Sequence, residues 1–77
     1  MDIELKEHGI NLREQMLKFI SDYILKNNYA PTIREIAKAV DLKSVSSVHS
    51  HLVQLEIEGL IEMVKYKPRG IKVIGYK

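Results

Sequence analysis

No cysteine occurs among the 77 residues, so neither a disulfide, nor a thiolate nucleophile, nor a Cys-based zinc site can be built. No apolar run approaches the roughly 20 residues of a membrane-spanning helix. The N-terminus lacks a secretory pattern, and an intracellular protein is expected. Aromatic residues are few, one Phe and four Tyr, which is poor provision for stacking single-stranded bases. Acid is missing from one stretch. Between Val64 and Lys77 stand Lys65, Lys67, Arg69, Lys72 and Lys77 with no Asp or Glu, whereas acidic and basic residues balance from Met1 to Val40. That excess makes the C-terminal stretch a candidate phosphate-binding surface; the alternative is a solubilising basic terminus.

What is present suits one small folded domain. Hydrophobic residues make up 45 % of the chain, enough for a core and too many for a disordered tail. The spacing predicts three helices, about 11–27, 32–40 and 44–58, followed by a hairpin at about 60–74. In the first helix, Leu12, Met16, Phe19 and Tyr23 recur on one face, widened by Ile20 and Ile24. Met16 and Phe19 are expected in the core. Asn11 is the expected cap, with Glu14 three residues on, and Asn27-Asn28 the expected end, because both side chains compete for backbone hydrogen bonds. Thr32-Ile33-Arg34-Glu35 has the form of a capping box and opens the second helix, whose apolar face is Ile33, Ile36, Ala37 and Val40. The break Asp41-Leu42-Lys43 is short enough to force a sharp turn. Leu42 should plug the corner between helices, and Asp41 should need an unusual backbone conformation.

Ser44 reads as the cap of the third helix. Val45, Val48, Leu52 and Leu55 return at helical spacing and are expected to face inward, with Val53 near the border and assigned to core support. The outward opening turns then carry Ser46, Ser47, His49 and Ser50. A helix can lie close to base edges only where its leading side chains are small or can hydrogen-bond. Beyond Gly59, Leu60 to Val64 alternates as a strand, and Ile71, Val73 and Tyr76 belong to a returning strand. The polar stretch between them, Lys65 to Gly70, has the punctuation of a hairpin loop. The expected fold is therefore mainly α with a small β-hairpin, a three-helix winged helix–turn–helix. Such a fold places its third helix in the major groove of DNA.

Enzyme chemistry has no foothold in the pattern. His49 and His51, two apart on a helix, face about 200° apart and cannot jointly hold one ion. The clustered serines lack a residue at the spacing of a general base. No catalysis, metal, cofactor or small-molecule ligand is expected.

Four segments, REQMLKFI at 13–20, APTIREIAKAV at 30–40, LKSVSSVHSHLVQLEIEGLIE at 42–62 and KPRGIKV at 67–73, together resemble the N-terminal DNA-binding domain of the LexA repressors, bacterial regulators of the DNA-damage (SOS) response. The resemblance covers about residues 12–73. It implies binding in pairs to a palindromic operator and repression of transcription. It also implies that Ser44, Ser46, Ser47, His49 and Ser50 occupy the base-reading positions and that Pro68-Arg69-Gly70 forms the wing loop. Asp41 departs from the glycine usual before the third helix. Full-length members of that family carry a self-cleaving serine–lysine peptidase domain that also dimerises them. These residues hold no counterpart to it, and either a cut-out domain or a short relative would give this sequence.

The functional expectation is sequence-specific binding of double-stranded DNA by a cytoplasmic protein of bacterial or phage origin. Two copies would share one operator with only weak self-association and no membrane contact. Arg34, Lys43, Lys65, Lys67 and Arg69 are the candidate backbone and wing contacts. For Arg34 the alternative is a surface ion pair with Glu35 or with neighbours of Lys38; for Arg69 it is packing on Tyr66 or bracing of the hairpin. The alternative for the whole chain is a winged-helix module that binds protein. Such a module should show exposed aliphatic or aromatic side chains where residues 44–54 show mainly Ser, His and Gln.

Overall fold

Three apolar helical stripes and one alternating hairpin have a single place to bury their surface, and they share it. The computed structural model describes residues 8–75, apart from the side chains of 8–11. The elements run α1 (His8–Asn27), α2 (Ile33–Ala39), α3 (Val45–Ile57), β1 (Ile61–Met63) and β2 (Ile71–Val73). The two strands pair antiparallel, Ile61 opposite Val73 and Met63 opposite Ile71. The architecture is the expected winged helix–turn–helix. Met16, Leu17 and Ile20 of α1, Ile36 and Ala37 of α2, and Val48, Leu52 and Leu55 of α3 form the buried core, with Ile61 and Ile71 of the hairpin as its floor. Each fully buried Leu or Ile contributes about 1.5–3 kcal/mol.

All three helices end on a left-handed residue: Asn28 (φ 67°), Asp41 (φ 60°) and Gly59 (φ 80°). After α1, the Asn28 amide donates to the Ile24 carbonyl at 2.8 Å, while Asn27 Nδ2 donates to the Tyr23 carbonyl. After α2, the Leu42 amide reaches back to Ala37 at 2.8 Å and the Asp41 amide to Lys38 at 3.3 Å. This is a Schellman turn with Asp in the position glycine usually takes. It reverses the chain within Val40–Ser44 and sets the angle of α3. Leu42 is half-buried against the core, as expected.

Three expectations need correction. The helix α1 begins at His8, so Asn11 lies within it and is not its cap; a cap's preference is about 1 kcal/mol, small enough for helix continuation to override. Phe19 is only half-buried, lying on the rim of the core beside Tyr23. Val45 is 43 % exposed. As the first residue of α3 it precedes the turn whose packing would have covered it. Tyr76, assigned to the returning strand, lies outside the described residues.

Candidate nucleic-acid interface

The opening of α3 is held by one local bond. Ser44 is extended (φ −104°, ψ 120°), and its hydroxyl accepts from the Ser47 amide at 3.2 Å. This satisfies one of the orphan donors of the first turn. No acidic residue stands in that turn, so the positive end of the helix keeps its pull on an external anion. Ser44, Ser46, Ser47, His49 and Ser50 are all exposed, while Val48 between them is fully buried. The side chains assigned to base reading thus stand on one rigid support. Val45 joins them. It was assigned inward by periodicity alone, and its place directly after the cap was the available signal. An exposed valine among serines offers methyl groups, the surface that a thymine methyl packs on.

The wing stands beside this helix because Glu56 of α3 accepts a hydrogen bond from the Met63 amide at 3.0 Å. That amide points out of the two-stranded ladder, and the carboxylate covers an edge that would otherwise be unpaired. At the far end of the hairpin, the Val64 amide donates to the Gly70 carbonyl at 2.7 Å. A Cβ on Gly70 would lie 2.9 Å from the Val64 carbonyl oxygen, so only glycine lets the chain close there. Tyr66 at the tip takes φ 65° and is fully exposed.

His49 and Val53 of α3 and Lys65, Tyr66 and Lys67 of the wing line one open groove of about 550 Å³. Val53, assigned to core support, borders this groove rather than joining the core cluster. Arg34 and Lys43 are exposed elsewhere on the helix–turn–helix. Among the described residues, none of Arg34, Lys43, Lys65 and Lys67 forms an ion pair. The expected partner of Arg34, Glu35, is engaged by other groups.

The basic run is less uniform than its sequence. Lys72 stands opposite Glu62 in the strand register, and Lys77 lies outside the described residues. Arg69, a candidate backbone or wing contact by sequence, is instead engaged within the protein. Its Nη1 donates to Ala30 O at 2.9 Å, Glu35 Oε1 at 3.0 Å and Tyr23 Oη at 3.2 Å, and its Nη2 donates to Glu35 Oε2 at 3.2 Å. The guanidinium also lies 4.8 Å from the centre of the Tyr29 ring. The bracing alternative is realised, with Tyr29 in place of Tyr66. A planar fork meets a carboxylate in its preferred bidentate way, and the pair adds to the capping box, in which Glu35 also accepts from the Thr32 amide at 2.8 Å. The Arg69 fork, followed by the Thr32 amide, lowers the Glu35 pKa from 4.5 to about 2. In return Glu35, then Tyr23, raises that of Arg69.

Comparison with known proteins places these features in a family. A family model for the LexA DNA binding domain matches residues 11–70. The LexA repressor of Acetivibrio thermocellus is 46 % identical over 72 residues, covering 92 % of this chain and 34 % of the relative. That of Enterococcus faecalis is 49 % identical over 59 residues, 77 % of this chain and 28 % of the relative. That of Clostridium tetani is 42 % identical over 66 residues, 86 % and 33 %. The chain therefore spans about a third of the length of the curated relatives it matches. Matched from the first turn of α1 to the close of the wing loop, and carrying the capped third helix on the core that the match covers, the chain belongs to the LexA DNA-binding domain family.

Proposed function

We propose that this chain binds double-stranded DNA sequence-specifically and represses transcription at a palindromic operator, as a DNA-binding module with no catalysis of its own. The helix α3 enters the major groove. Ser46, Ser47, His49 and Ser50 read base edges, with Val45 beside them, while the Ser44 hydroxyl, its acceptor side already used by the Ser47 amide, donates to DNA. Lys65 and Lys67 meet flanking phosphates across the groove they share with His49, and Arg34 and Lys43 anchor the helix–turn–helix on the backbone. Two copies occupy one operator in the cytoplasm of a bacterium. One observation carries the reading: α3 opens on a capped, acid-free first turn whose exposed side chains are short and, Val45 apart, polar. Base edges accept such a surface, and a protein partner would favour exposed aliphatic or aromatic groups.

The test is selection of bound duplexes from a random pool, followed by footprinting. The expected product is an inverted repeat with half-sites about one helical turn, or a multiple of it, apart. Sedimentation should give two chains per operator. Recovery of no common sequence would remove the reading.

A further inference from the structure

We infer that Arg69 is a positioning residue, which pins the wing to the corner between α1 and α2 and thereby fixes where Lys65 and Lys67 meet DNA, without touching DNA itself. This rests on the DNA-binding reading above. A hairpin of two three-residue strands is not stable alone. On its β1 side it follows α3 directly and is held by the Glu56–Met63 bond. On the β2 side, Arg69 at the end of the loop reaches three separate segments: Tyr23 on α1, the Ala30 carbonyl in the connection, and Glu35 in the first turn of α2. Ala30 is buried, and its carbonyl gains a charged donor there. An aromatic row stands behind the fork, Phe19 to Tyr23 at 5.6 Å and Tyr23 to Tyr29 at 5.9 Å between ring centres. Both terminal nitrogens of the guanidinium donate to groups of the protein. Among the described residues, the neighbouring Lys65 and Lys67 have no such engagement. A planar, bidentate group stacked on a ring is a role that lysine cannot fill.

The sharpest variant is Glu35→Gln. Glutamine retains the capping box, so α2 keeps its start, but the charged partner of the fork is gone. Simple Coulomb reasoning says that removing an acid from a DNA-binding protein tightens its hold on DNA. The clamp requires the opposite for the operator: affinity should fall by about tenfold, the cost of ordering a loosened loop on binding, with affinity for random DNA unchanged or raised. Arg69→Lys should behave alike and leave the salt dependence of binding unaltered. Lys67→Ala, by contrast, should reduce the salt slope by about one unit. Amide exchange gives an arm that needs no DNA. In both clamp variants the Val64 and Gly70 amides should exchange faster while those of Val48 and Leu52 keep their protection. Unchanged exchange at Val64 and Gly70, or a salt slope that falls by one unit in Arg69→Ala, would overturn the assignment. If the unaltered chain shows no sequence preference, the DNA-binding reading fails, and the exchange arm still decides whether Arg69 holds the wing.

Discussion

The openings of α2 and α3 begin alike and end differently. Thr32 and Ser44 are both extended cap residues whose hydroxyls accept from the amide three residues on. At α2 the third position is Glu35, whose carboxylate returns to the Thr32 amide and is itself gripped by Arg69. That helix end is satisfied from within. At α3 the corresponding position is Ser47, and no acid stands in the first turn. This end has one orphan amide covered by a side chain, with exposed cations across the groove. A closed helix end is a structural joint, whereas an open one is a place for an anion. The difference between them is a single side chain at the third position.

Moving that side chain should break the contrast. Ser47→Glu gives α3 the same box that α2 has. The variant should melt higher, by an amount on the order of 0.5–1 kcal/mol. Its operator affinity should fall by about two orders of magnitude, since a base contact of roughly 1–3 kcal/mol is lost and a carboxylate meets phosphate. Thermal unfolding and fluorescence anisotropy on the selected duplex check the two halves. A stabilised variant that binds as before would show that the α3 opening is not the reading end.

The same contrast explains what the sequence made legible. Both caps, the Asn27-Asn28 stop and the left-handed Asp41 depend on residues within a few positions of one another, so local chemistry predicts them. The apolar stripes of α2 and the hairpin are legible for the same reason. Val45 misled because periodicity counts faces and ignores whether a preceding turn exists to cover them. Arg69 misled further. Its partners lie 34 to 46 residues away in the chain, and a run of lysines beside it made a surface role look uniform. Only the fold brings Tyr23, Tyr29 and Glu35 to it. Charge counted along a sequence therefore overstates the cations left unpaired, since Arg69 is held by Glu35 while Lys65 and Lys67 stand exposed in the wing.

Removing the two cap hydroxyls separately sharpens the comparison at smaller scale. Thr32→Ala and Ser44→Ala should each cost about 1 kcal/mol of stability by denaturant unfolding. Only Ser44→Ala should also change the ratio of operator to random binding, because its hydroxyl shares the exposed face with Ser46 and Ser47. An equal change of that ratio in both variants would mean that the caps act on DNA only through fold stability.

The smallest effect is expected from acid, and it too should separate the two helix ends. Glu35 is held at a pKa of about 2 in the folded chain against an ordinary value of 4.5. Its carboxylate therefore binds a proton more readily when unfolded. Stability from this group is complete above about pH 4.5 and declines as the pH falls toward 2. The groups that face it, Arg69, Tyr23 and the Thr32 amide, all favour the ionised form. Both members of the ion pair are more than a third exposed, so salt screens their attraction and the decline should be shallow. The measurement is thermal unfolding of the unaltered chain and of Glu35→Gln from pH 6 to pH 2 at low and high salt. The stability difference between the two should shrink through that window, and more weakly in high salt. A difference that stays constant down to pH 2 would mean that the carboxylate charge does not hold the α2 opening to Arg69.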